Sequence, residues 1–170
     1  MGKITEPLIA EMEQEAKATR RVFERIKNEH LAWKPHEKSM STGQLSYHVA
    51  MIPGRVSNIF KPDVFDVTSA KFERPSVEDA QQLIPSLEES VAEAKTFLQG
   101  LDDARVLGTW KMVAGEKELN SMPRIAGIRA IMFNHLYHHR GELVVYLRLL
   151  NIPVPSVFGP SADENPFSRG

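Results

Sequence analysis

The segment Asn134 to Leu143, NHLYHHRGEL, limits what this chain can fold into more than any other. Its flanks, IRAIMF and VVYLRLL, carry the three- and four-residue apolar spacing of an amphipathic helix, yet the segment itself holds three histidines, an arginine and a glutamate. His135 and His139 stand four residues apart, one above the other on a helix. The stripe that contains them runs on through Ile128, Met132, Leu143, Tyr146 and Leu150, so the periodicity predicts that both imidazoles face the interior. A buried imidazole needs partners for its ring nitrogens, and two on adjacent turns can share one cation.

Three further stretches carry the same spacing. From Pro7 to Lys27 the stripe is Ile9, Met12, Ala16, Thr19, Phe23 and Ile26, with Thr5 as the expected cap. Ser41 followed by Gln44 reads as a capping box for a helix with the face Leu45, His48 or Val49, Ile52, Val56 and Ile59. Pro53 inside that helix removes a backbone hydrogen bond and predicts a kink, a break being the alternative. Ser76 with Asp79 opens a third helix through Ile84, Leu87, Val91, Ala94 and Leu98, stopped by Gly100 and bent at Pro85. The last helix runs from Pro123 to Leu150, with Asn151 as its C-terminal cap. Gly141 within it leaves room for a neighbouring helix or ligand to come close.

The connections differ in kind. Asn28 to Met40 is a polar connector anchored by Trp33, with His30 and His36 as surface residues. Lys61 to Pro75 is a long crossing loop that packs down at Phe65 and Phe72, and TWKMV with KELNS suggests a short hairpin between helices three and four. Residues 152–170, rich in proline, glycine and serine, form an extended tail that frays at its end. The expected fold is therefore all-α: one four-helix-bundle domain over residues 1–170, with a crossover loop and a small hairpin.

Composition narrows the function. With 21 basic and 22 acidic residues the formal net charge is -1, which lacks the basic excess of a nucleic-acid binder. There is no cysteine, which excludes disulfides, thiolate ligands and a cysteine nucleophile. No apolar run reaches the roughly 20 residues that span a bilayer, and no signal peptide is evident at the N-terminus. A cytoplasmic location with no membrane partner is the expectation.

His48, His135 and His139 together could bind one divalent transition metal. Three neutral imidazoles leave a coordination position open for water or substrate, as catalytic zinc sites do. An ion without ligand charge to offset it keeps its power to lower the pKa of what it binds. Glu142, one turn beyond His139, could orient an imidazole, accept a proton or face solvent. Tyr47, Arg55, His138 and Arg140 are further polar candidates nearby; His138 lies about 100° around the helix from His139, which points it to solvent or makes it a group that supports a ligand from outside.

The segments WKPHEKSMSTGQLSYHV, HLYHHRGEL and VPSVFGPSADE resemble, in order along the chain, the DinB family of damage-inducible proteins and their YfiT-like relatives. The resemblance implies a four-helix bundle in which His48, His135 and His139 hold nickel or zinc, and it implies a homodimer. Relatives commonly carry glutamine where this chain has Glu142, which leaves that residue's role open. Some are thiol-dependent S-transferases or isomerases using bacillithiol, mycothiol or glutathione. The expected function is thus transfer of a low-molecular-weight thiol activated by the metal, with Glu142 as the candidate catalytic residue. A hydrolase using metal-bound water, or a non-catalytic stress-induced metal-binding module, are the alternatives.

Overall fold

Helix boundaries in this chain follow the supply of acceptors for the first free N–H groups. The protein is described by a computed structural model covering residues 2–70 and 75–167. Helix α1 (Thr5–Phe23) has no side-chain cap of its own. Instead Asp103 Oδ1 accepts the Ile4 N–H at 3.0 Å, and the Thr5 hydroxyl donates to the Gly2 carbonyl at 2.9 Å. Pro7 lies in the first turn, where a missing donor costs little. Helix α2 (Thr42–Phe60) starts with the reciprocal box, Gln44 N–H to Ser41 Oγ at 3.2 Å and Ser41 N–H to Gln44 Oε1 at 3.0 Å. It continues through Pro53 without a break.

Helix α3 (Leu83–Gln99) follows a 3₁₀ turn, Ala80–Gln82, capped by Asp79. Pro85 falls in the first α-helical turn, so it removes no intrahelical bond, and the expected interior bend loses its cause. Where α2 passes α3, the Gly54 N–H donates to Ser90 Oγ at 2.8 Å, and a Cβ on Gly54 would sit 3.3 Å from the Ser90 Cα. A short helix that the periodicity did not reveal, α4 (Asp103–Leu107), is capped by Asp102 Oδ1 on the Arg105 N–H at 2.7 Å.

The fold is mostly helical, as expected, but it carries a small three-stranded sheet in addition to its helices. The expected hairpin exists, β2 (Thr109–Ala114) antiparallel to β3 (Lys117–Pro123), turning at Gly115 with φ +60°. A third strand, β1 (Val64–Asp66), pairs parallel with β2 from within the crossover loop, giving the order β1-β2-β3. Phe65 packs partly against the core; Phe72 lies outside the described residues. Trp110, fully buried, seals the sheet onto the helices by donating its indole N–H to the Ile59 carbonyl at 3.2 Å and by packing on Phe60 at 4.4 Å between rings. Arg124 is 1% exposed and ties the same corner by donating to Phe60 O, to Pro62 O at 3.0 Å and to the Asp63 carboxylate.

The last helical run has three parts: α5 (Arg124–Gly127), a π-helical segment (Ile128–Asn134) and α6 (His135–Leu149). Gly127 is required at its place, because a Cβ there would collide with the Phe60 ring. Gly141 is not, since nothing lies within 4 Å of the position its Cβ would take. Asn151, with φ +57°, ends the run, and the Ile152 N–H closes onto the Leu147 carbonyl at 2.9 Å.

The tail lies over α1 and α6, with Val154, Pro155 and Ser156 buried. Its two acids hold it down. Asp163 pairs with Arg148 at 2.5 Å and accepts the Val154 N–H at 2.8 Å, while Glu164 pairs with Arg21 and accepts the Ser156 N–H at 3.1 Å. No helix of the described residues is long and apolar enough to cross a membrane.

Candidate metal centre

Helix α2 and helix α6 bring together the three histidines that the sequence singles out. His48 Nε2 and His135 Nε2 lie 3.2 Å apart. Ring centroids are separated by 5.0 Å for His48 and His135, 4.7 Å for His48 and His139, and 4.5 Å for His135 and His139. One nitrogen from each ring can be chosen so that all lie within 4.8 Å of one another. Three imidazoles at this spacing, two of them separated by 87 residues of chain, form a donor set suited to a transition metal.

Their depth differs from the expectation. The buried positions of α6 are Leu136, Arg140, Leu143 and Leu147, whereas His135, His139 and Tyr146 are half-buried. The seven-residue π segment shifts the turn, so the core stripe passes to Leu136 and Arg140 and the imidazoles sit at its edge, toward α2. In α2, Val49 takes the core position and His48 lies half-buried beside it. The cluster is therefore at a helix–helix seam rather than inside the core, which leaves it open to a small ligand.

Burial holds the His135 imidazole below its ordinary value, and neighbouring His139 pushes the same way, against a hydrogen bond to the Ile131 carbonyl. A lowered value favours the unprotonated ring, the form in which an imidazole acts as a ligand. His139 Nδ1 is 2.6 Å from Glu142 Oε2. That contact leaves the opposite nitrogen of His139 for a cation, the histidine–carboxylate pairing common around metals. His138 is exposed, as expected, and its Nε2 lies 3.2 Å from Glu142 Oε1.

The other polar candidates go elsewhere. Tyr47 stacks under the Arg55 guanidinium at 5.9 Å and lines a groove with Ser76, Pro85 and Glu89 on the α3 side. Arg140 turns away from the histidines to meet Glu15 of α1 at 2.6 Å, donating also to the Glu15 carbonyl and the Thr19 hydroxyl. The sequence analysis passed over Glu15, although it keeps step with Leu8, Met12, Thr19 and Val22, all buried; a glutamate on a core stripe was the available signal. Trp33 does anchor its connector, edge-on to Tyr146 at 5.4 Å. His30 is half-buried and accepts the Lys27 N–H at 3.0 Å, so it closes a turn.

Residues 1–165 match the model of the DinB family. Two solved structures share the fold. A DinB-like protein from Bacillus subtilis aligns with a TM-score of 0.67 and 21% identity, covering 85% of this chain and 92% of that one. A DinB-like protein from Bacillus cereus aligns with a TM-score of 0.64 and 18% identity, covering 85% and 91%. No curated protein matches the chain in sequence.

Proposed function

The chain belongs to the DinB family, and on that premise we propose that it is a divalent-metal-dependent enzyme that transfers a low-molecular-weight thiol to an electrophile. His48, His135 and His139 would hold the ion, nickel or zinc. The four long helical runs α1, α2, α3 and α5–α6 are read as the bundle that carries the site. The observation that carries the proposal is the convergence of three imidazoles from two helices, with His48 Nε2 and His135 Nε2 3.2 Å apart.

Such an ion, when bound, lowers the pKa of a coordinated thiol or water. The chain's own residues do the rest. Glu142 Oε2 fixes the orientation of the His139 ring. Its carboxylate, 42% exposed, is the candidate acceptor for the proton that an incoming thiol must lose. Burial weakens the hold of the His135 ring on a proton, which would otherwise compete with the cation for its lone pair.

The test is a conjugation screen with bacillithiol, mycothiol and glutathione against a model electrophile, with and without chelator. Chelator-sensitive turnover with one thiol is the expected result. Turnover with none of them would reject thiol transfer, and ester or amide hydrolysis under the same conditions would replace it. Ligation is tested separately by elemental analysis of protein purified without a histidine tag. His135→Ala should lose the metal, and equal metal content in variant and wild type would reject the ligand assignment.

A further inference from the structure

We infer a second, weaker divalent-cation site beside the three-histidine cluster, formed by His138 Nε2 and Glu142 Oε1 on the outer side of α6. It rests on the metal-centre reading only in that His139 is taken to be engaged there.

The geometry comes from helical spacing. His138 and Glu142 are four residues apart, so the backbone of a single turn holds imidazole and carboxylate on the same face. Their nearest atoms are 3.2 Å apart, and the donor atoms of His138, His139 and Glu142 can all be chosen within 4.8 Å of one another. The two clusters meet at His139 without competing for one atom. Glu142 Oε2 is occupied by His139 Nδ1 at 2.6 Å, while Oε1 turns toward His138. A carboxylate can accept the His139 ring N–H with one oxygen and bind a cation with the other.

The chemistry of the pair selects the ion. One imidazole and one carboxylate suit zinc, nickel or copper, whereas magnesium and calcium prefer sets made of oxygen. The carboxylate supplies the negative charge that the three-histidine set lacks. Both side chains are open to water, His138 at 63% and Glu142 at 42% exposure, so water completes the coordination. The site offers only two protein ligands, and both are solvent-exposed side chains whose ordering costs entropy, which makes this the weaker site.

The experiment is a zinc titration of the untagged full chain, stripped with chelator and followed by calorimetry at pH 7.5, with circular dichroism confirming that each variant is folded. Wild type should bind zinc in two classes, one tight and one weak. His138→Ala should keep the tight class and weaken the other at least about tenfold, since losing even an outer partner of a ligand costs metal sites about that much. Glu142→Gln should weaken the same class, and His48→Ala should remove the tight class while sparing the weak one. A single tight class of one zinc per chain, or a weak class unchanged in both His138→Ala and Glu142→Gln, would overturn the inference. A lone weak class that His138→Ala weakens and His48→Ala spares would leave the second site standing and reject the three-histidine reading instead, whereas one that only His48→Ala removes would overturn the inference.

Discussion

Replacing Arg140 by methionine should destabilise the chain by an amount that grows with pH. Arg140 is 2% exposed and its partner Glu15 is 4% exposed. The substitution leaves a carboxyl inside the protein with no cation. Breaking a buried pair in this way costs about 3–5 kcal/mol when the remaining charge has no compensation. The carboxyl can escape part of that by taking up a proton, which costs an ordinary glutamate about 3.7 kcal/mol at pH 7 but only about 1 kcal/mol at pH 5. The sign follows from linkage. A carboxyl held neutral when folded and ionised when unfolded makes folding less favourable as pH rises above its unfolded value. At pH 7 the loss corresponds to a drop in Tm of roughly 7–15 °C for a chain of this size. The assay is urea unfolding at pH 5 and pH 7 for wild type, Arg140→Met and the double variant Glu15→Leu with Arg140→Met. The double variant should recover most of the loss, since a buried pair exchanged for apolar side chains is often neutral. An equal loss at both pH values, or a double variant no more stable than the single one, would refute the reasoning.

Two glycines of the last helical run should respond in opposite directions to alanine. Gly127→Ala drives a methyl into the Phe60 ring and should cost about 1–3 kcal/mol, whereas Gly141→Ala meets nothing within 4 Å and should gain up to about 1 kcal/mol from helix propensity; thermal unfolding reads both. Burial followed by the influence of His139 lowers the His135 value, so metal-free protein should lose stability as pH falls below about 6.5, where the unfolded imidazole protonates more readily than the folded one. Urea unfolding in chelator at pH 7.5 and 5.5 checks this, and His135→Gln should flatten the slope. The tail should loosen at low pH. The Arg148 pairing holds Asp163 below the usual carboxylate range, and the Ser156 N–H does the same for Glu164, so their contribution is present above the unfolded values and lost as pH falls through the folded ones. Hydrogen exchange should show residues 152–167 losing protection at about pH 3 while α2 keeps its own, given carboxylate values near 4 in the unfolded chain.

Local signals in this sequence translate well because each depends on neighbours only a few residues away. The Ser41 and Gln44 box, the stop at Asn151 and the hairpin are all of that kind. The three histidines were legible as candidates, and their meeting depended on tertiary packing of α2 against α6. What stayed hidden has a common physical source. Strand β1 is three residues long and exists because β2 offers it an edge. Helix α4 is a single capped turn, too short for a period to show. The depth of His135 and His139 was misjudged because a uniform period of 3.6 was carried across a segment that does not obey it. Pro85 was read against a helix start several residues too early.

That π segment has a consequence for how insertions and deletions act here. In an α-helix each residue turns the chain by about 100°, and in a π-helix, with its i→i+5 bonds, by less, so forcing the seven residues Ile128–Asn134 into α pairing would rotate everything after them by roughly one residue's step relative to everything before. At one end Arg124 and Gly127 are keyed to Phe60 and Asp63, and at the other His135 and His139 are keyed to His48 while Arg140 is keyed to Glu15. The wider turn is a spacer that lets one continuous rod fit two locks cut at different angles. A chain one residue shorter there, with α pairing restored, would keep both ends in phase, whereas an added residue without a wider turn could satisfy the sheet corner or the histidine cluster, but not both.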